Sequence, residues 1–218
     1  MSTVSDKIDA KQVKALRDMT SAPMGDCKKA LEEAKGDLEA AVVVLRKRGM
    51  ASAQKKAART TNEGAIGSYI HAGGKIGVII ELNCESDFVA RTEDFQDLLK
   101  DIAMHIAATD PRYVKPEDVT IDDLEREKEI YRAQAAATGK PANIIEKMLD
   151  GKMAKFYEEV CLLEQPFIKD QAVSIKELIA QKVGKLGENI TIRRFARFKV
   201  GAPDWTVAQT KAVEAAAE

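Results

Sequence analysis

The sequence predicts an α+β protein, a helical head followed by a core of a three-stranded antiparallel sheet with helices. Three observations carry that prediction. Apolar residues recur at helical spacing through residues 9–50. They alternate with a period of two at 66–82 and again at 190–200. Between these stretches the helical period returns.

The head reads as three short helices. Val13, Leu16 and Met19 mark the first. Cys27, Ala30, Leu31 and Ala34 mark the second, and Leu38, Ala41, Val42 and Leu45 the third. Gly36 suits a left-handed helix end, Asp37 can cap the third helix, and Gly49 can end it. Residues 46–59 then carry Arg46, Lys47, Arg48, Lys55, Lys56 and Arg59 with no acid. That run suits either an acid-binding arm or a solvated helical linker, and charge runs are usually solvated faces.

Ile66, Ser68 and Ile70 share one strand face, and Ala72-Gly73-Gly74-Lys75 supplies a turn. Ile76, Val78, Ile80 and Leu82 then alternate with Gly77, Ile79, Glu81 and Asn83, giving a β-hairpin whose face can cover a core. Near the C-terminus, Ile190, Ile192, Ala196, Phe198 and Val200 alternate with Thr191, Arg193, Phe195, Arg197 and Lys199. That is a third strand with one apolar and one largely basic face.

Thr92 can cap the next helix, with Glu93 and Asp94 favourable against its dipole and Phe95, Leu98, Leu99, Ile102 and Ile106 as its stripe. Pro111 and Pro116 mark a loop. Residues 121–138 read as an exposed helix ended by Gly139. Pro141 suits a new helix start, followed by Ile144, Ile145, Met148 and Leu149. Gly151 interrupts, and another helix follows through Tyr157 and Val160. The segments of about 121–160 suit a helical hairpin protruding from the sheet. Residues 175–186 form the last core helix, and 201–218, with Trp205, look weakly ordered.

Composition narrows the function. Among 218 residues, 34 Lys+Arg against 35 Asp+Glu leave a net charge of 34 − 35 = −1. Neutralising phosphates takes a basic excess, so bulk nucleic-acid binding is not expected. Charged residues at 32% and hydrophobic ones at 45% are the balance of a soluble globular protein. Aromatics are only 5%, so its cores are aliphatic. Met1 to Val13 holds no secretory signal, and no apolar run reaches the roughly 18 residues of a membrane span. Cys27, Cys84 and Cys161 are odd in number and far apart, which points to a reducing, cytoplasmic setting.

No catalytic, metal or cofactor motif stands out. His71 and His105 are single, and no cysteine pair has C-x-x-C spacing. Gly73-Gly74-Lys75 lacks the first Walker glycine and is followed by Ile76, and there is no G-x-G-x-x-G. Direct nucleotide binding is therefore not expected. Cys84, at a strand end, with His71 across the hairpin, is the one candidate for nucleophilic catalysis. In Cys84-Glu85-Ser86-Asp87-Phe88-Val89-Ala90, Ser86-Asp87 reads locally as a helix cap followed by an acid, and Phe88 as a core residue.

The wider pattern changes that reading. Val13-Lys14-Ala15-Leu16-Arg17, with Ala22-Pro23-Met24-Gly25-Asp26-Cys27-Lys28-Lys29-Ala30-Leu31, resembles the N-terminal signature of the bacterial elongation factor Ts family. Asn83-Cys84-Glu85-Ser86-Asp87-Phe88-Val89-Ala90 resembles its second signature. Met104-His105-Ile106-Ala107-Ala108, Gly139-Lys140-Pro141, Glu164-Gln165-Pro166-Phe167 and Arg193-Arg194-Phe195 are similar too. The resemblance spans about residues 8–200 and is closest to the short, single-core form.

The resemblance implies a guanine nucleotide exchange factor, not an enzyme, acting on elongation factor Tu so that GDP leaves and GTP loads. It implies that residues 1–52 are a ubiquitin-associated-like domain. A basic helical linker at 53–63, an α+β core at 64–200 and a tail at 201–218 follow. Lys14, Arg17 and Met24 match the family's contacts in the head, and Asp87 and Phe88 match the pair that wedges beside the partner's magnesium site. A single core half implies a homodimer. Gly25 stands where the family usually has a second methionine, Pro23 where Gly is more common, and Ser86 where Thr is usual. The competing classes are an RNA-associated module using 46–59 with Arg193, Arg197 and Lys199, and a cysteine-dependent enzyme using Cys84.

Overall fold

A computed structural model describes residues 8–20, 22–136 and 142–202. Among them are eight α-helices and two small sheets. The order is α1 (Ala10–Thr20), α2 (Met24–Glu33), α3 (Leu38–Lys56), β1 (Glu63–Ile70), β2 (Ile76–Cys84), α4 (Asp87–Ala90) and α5 (Glu93–Thr109). Then come α6 (Ile121–Ala136), α7 (Ala142–Val160), β3 (Pro166–Phe167), β4 (Asp170–Ser174), α8 (Ile175–Leu186) and β5 (Ile190–Lys199). The main sheet is antiparallel with order β1-β2-β5, as expected for this α+β class. The helix end at Gly139, the helix start at Pro141, the side chains of Ile144 and Ile145, and the tail from 203 onward lie outside the described residues.

The chain divides into two compact units. One comprises Met1–Ala65, Leu82–Leu98 and Glu177–Thr191. In it, α1–α3 close on Val13, Leu16, Cys27, Ala30, Leu31 and Ala41, with Leu38, Val42 and Leu45 packed against them. Leu16 and Leu31 are fully buried, each stabilising by about 2 kcal/mol. Gly36 takes a φ of 86°, and the Asp37 carboxylate accepts from Ala40 N at 3.0 Å, capping α3 as its sequence predicts. The expected stripe of α1 stops at Leu16, because Met19 is 65% exposed.

α3 does not end at Gly49. It runs on through the basic segment to Lys56. One helical glycine costs only about 1 kcal/mol relative to alanine. A Cβ at Gly49 would meet the Ala180 carbonyl oxygen of α8 at 3.5 Å, an ordinary van der Waals distance, so packing does not demand the glycine. Lys56 Nζ donates to the Val183 oxygen at 3.4 Å. In the same unit, Asp94 of α5 receives Lys182 and Lys185 of α8 at 2.8 and 2.7 Å. Those two ammonium groups hold its carboxyl below the usual range.

The second unit comprises Ile66–Glu81, Leu99–Lys176 and Ile192–Glu218. The hairpin turn is built as expected, with Gly73 and Gly74 at φ 89° and 68° and His71 N donating to the Ile76 oxygen at 2.9 Å. Val78 and Ile80 are buried, while Ile66, Ile70 and Ile79 face solvent. The predicted alternation of β5 slips. Arg193 and Arg194 are both exposed, so the phase shifts by one and Phe195 becomes buried. Arg197 then turns inward, where its guanidinium donates to the Ala107 oxygen at 3.1 and 3.2 Å and pairs with Asp110 at 3.0 Å. Phe198 and Val200 are left outside. The outward side of the strand's end is therefore apolar at Phe198 and Val200, where a basic face was expected.

α6 and α7 pack together, with Leu124, Tyr131 and Leu149 around the buried Tyr113, Met153, Phe156 and Val160. Gly151 does not interrupt α7, which is continuous from Ala142 to Val160. Two short antiparallel strands, β3 and β4, pair Pro166 with Ser174 and Phe167 with Asp170. His105 is buried, its Nε2 3.0 Å from Gln165 Oε1, while Ile168 N donates to its Nδ1 at 3.3 Å. Burial pushes its pKa down. Among the described residues, no helix is long and apolar enough to cross a membrane.

Candidate functional site

The Glu85–Ala90 segment leaves β2 and folds at once into α4, four residues long. Ser86 is extended, and its hydroxyl accepts from Val89 N at 3.4 Å, the cap that sequence predicts. Thr92 Oγ1 donates to the Val89 oxygen at 2.7 Å, and Gln96 Nε2 to the Ala90 oxygen at 2.7 Å. The turn is thus fastened at both ends through its backbone.

Its side chains point to two different fates. Ala90 is buried. Phe88, readable locally as a core residue, is 78% exposed, the largest value among the described aromatics. Asp87 is half-buried, and Arg91 Nη2 meets its Oδ2 at 2.6 Å. An aromatic ring held in water beside a carboxylate gains nothing for the fold. The ring is left accessible from solvent.

Cys84 is not an activated nucleophile. Its thiol is buried and donates to the Ser86 oxygen at 3.1 Å, and desolvation raises its pKa, the opposite of what thiolate chemistry requires. Among the described residues, no group of three or more His, Cys, Asp or Glu is placed to hold a metal ion.

In the head, Lys14 and Arg17 are exposed, three residues apart on α1, each next in sequence to a buried residue, Val13 and Leu16. Met24 opens α2 and is 48% exposed. Gly25 is exposed too, and a Cβ there would meet nothing within 4 Å. The missing second methionine is therefore a change of surface, not a hole in the core. The head residues and the Asp87-Phe88 pair sit on separate elements.

A family model described as elongation factor TS matches residues 1–202. The chain belongs to the elongation factor Ts family. That membership implies a nucleotide exchange factor for elongation factor Tu in translation elongation. A relative named elongation factor Ts from Koribacter versatilis is 69% identical over 94% of this chain and 94% of its own length. Those from Solibacter usitatus and Geobacter sulfurreducens are 59% and 58% identical over 89% of the chain, covering 92% and 90% of their own lengths. Lys14, Arg17, Met24, Asp87 and Phe88 came from the signatures of elongation factor Ts. Sequence reasoning took Met19 for the α1 stripe, and it did not single out Glu188, whose carboxylate accepts from Glu85 N at 3.1 Å and Ser86 N at 3.0 Å, because those partners lie about a hundred positions away.

Proposed function

We propose that this chain opens the GDP site of elongation factor Tu with Asp87 and Phe88, after docking its head through Lys14, Arg17 and Met24. The observation that carries this is the exposure of Phe88 on a turn whose backbone is fastened at both ends. GDP is held mainly through phosphate and magnesium, so a factor need only stabilise a distorted form of that site. Asp87 supplies an acceptor near the groups that support the ion, and Phe88 fills a gap between partner helices. Coupling is reciprocal: weakening GDP tenfold weakens the factor tenfold in return, about 1.4 kcal/mol per decade. No covalent chemistry and no nucleotide site of its own are needed.

In this reading α1–α3 form the ubiquitin-associated-like domain, and α6 with α7 form the helical hairpin. Labelled-GDP release from elongation factor Tu, with and without this protein, tests the proposal. Equal rates would sink it.

A homodimer is the second part of the reading, favoured by the outer sheet face. Ser68, Ile70, Gly77, Ile79, Phe198 and Val200 line a shallow groove of about 370 Å³ there. Ile70 and Val200 are 66% and 70% exposed, an apolar face of the kind that marks an interface. Sedimentation velocity of the wild type and of Phe198→Glu tests this. A wild type monomeric at every concentration refutes it.

A further inference from the structure

Glu188 lies 102 positions after Ser86, outside the motifs that mark the family, yet it grips the turn that carries Phe88. Its Oε2 accepts from Glu85 N at 3.1 Å and from Ser86 N at 3.0 Å. Its Oε1 accepts from the Ser86 hydroxyl at 2.6 Å. The next residue returns the grip, as Asn189 N donates to Glu85 Oε1 at 2.6 Å. Asn189 Nδ2 also donates to the Arg59 oxygen at 2.9 Å, beyond the end of α3.

This matters because α4 cannot orient itself. Four residues offer too few internal hydrogen bonds to be stable alone. Phe88 has little packing of its own to fix it. The direction in which the ring is presented must come from the backbone on either side of it: Thr92 and Gln96 hold the carbonyls after it, and the amides before it belong to Glu85 and Ser86. Both of those amides end on one carboxylate, and charge-assisted bonds of this kind are roughly twice as strong as neutral ones.

We propose that Glu188 is a positioning residue for exchange, holding the 85–88 turn so that Phe88 meets the partner already aimed. This rests on the exchange reading given above. Glu188→Ala removes all three acceptor contacts. Glu188→Gln keeps one oxygen for the two backbone amides, and its NH₂ can donate to the Ser86 hydroxyl. Glu188→Asp keeps the charge and loses reach.

Labelled-GDP release from elongation factor Tu is measured against factor concentration for each variant. Because a misplacement of about 1 Å can cost up to a hundredfold in rate, Glu188→Ala is expected to lower the maximal rate about tenfold. Half-saturation, set largely by the head, should move less than about twofold, the split that separates aim from docking. Glu188→Gln should recover most of the rate. Should Glu188→Ala fail to fold by circular dichroism, Glu188→Asp carries the test with the same expected loss. A folded Glu188→Ala or Glu188→Asp with the wild-type maximal rate overturns the proposal, as does a folded Glu188→Gln no better than Glu188→Ala. A wild type that leaves GDP release unchanged overturns the exchange reading instead.

Discussion

Truncating Phe88 should separate folding from function. The ring is 78% exposed, so Phe88→Ala uncovers little apolar surface in the free protein. Surface changes of that kind usually stay within about 0.5 kcal/mol, against the 3–5 kcal/mol or so of a buried Phe→Ala. In the complex the balance reverses. A central aromatic anchor is worth at least about 2 kcal/mol, which at about 1.4 kcal/mol per decade is roughly thirtyfold. If that contact strengthens as GDP leaves, the loss falls on the maximal exchange rate more than on affinity. Stopped-flow release of labelled GDP at saturating factor reads the rate, and thermal melting reads the fold. A wild-type rate at saturating Phe88→Ala would refute the reasoning.

Three further outcomes follow from the packing. Asp94→Asn should destabilise by about 1 kcal/mol near neutral pH, since it weakens contacts to Lys182 and Lys185 that are only partly exposed. The folded pKa of Asp94 is depressed, so its stabilisation is complete above the unfolded value of about 3.9 and is lost as pH falls through the folded one. Melts of variant and wild type should therefore converge in strong acid. His105 is also depressed, by burial, so the unfolded chain takes up its proton first and wild-type stability should decline as pH falls below about 6.5. His105→Phe should flatten that slope while costing about 2 kcal/mol at neutral pH for the unpaired Ile168 N–H. Gly151→Ala should stabilise by about 1 kcal/mol, because the Cβ meets nothing within 4 Å in the middle of α7. Urea titration would show it as a raised midpoint with unchanged slope.

The parts of the fold legible in sequence were those with local chemistry. The α5 stripe of Phe95, Leu98, Leu99, Ile102 and Ile106 is buried throughout, and α8 spans the predicted 175–186. Gly49 and Gly151 misled because a glycine's cost is small beside the packing of a long helix. In β5, consecutive exposed arginines shifted the alternation, a change that periodicity cannot announce. The two-residue β3 strand is too short to show any period. At the site, the Ser86 cap was readable because its partner is three residues away. Locally Phe88 reads as core, since a lone aromatic after a strand looks like one; only the family resemblance pointed to a ring offered to a partner, and the ring is exposed. Glu188 and Asn189 were invisible for another reason: their bonds join residues about a hundred positions apart, and only the fold brings them together.

The continuity of α3 has a geometric consequence. The helix starts within the three-helix bundle and ends where Lys56 meets Val183. Its 19 residues make a rod of about 28 Å at 1.5 Å per residue. A rod transmits phase as well as length. One residue inserted into its exposed part would swing the bundle by about 100°, whereas seven would nearly restore the angle and add about 10 Å. The helix thus sets both the distance and the twist between the bundle and the Lys56–Val183 contact.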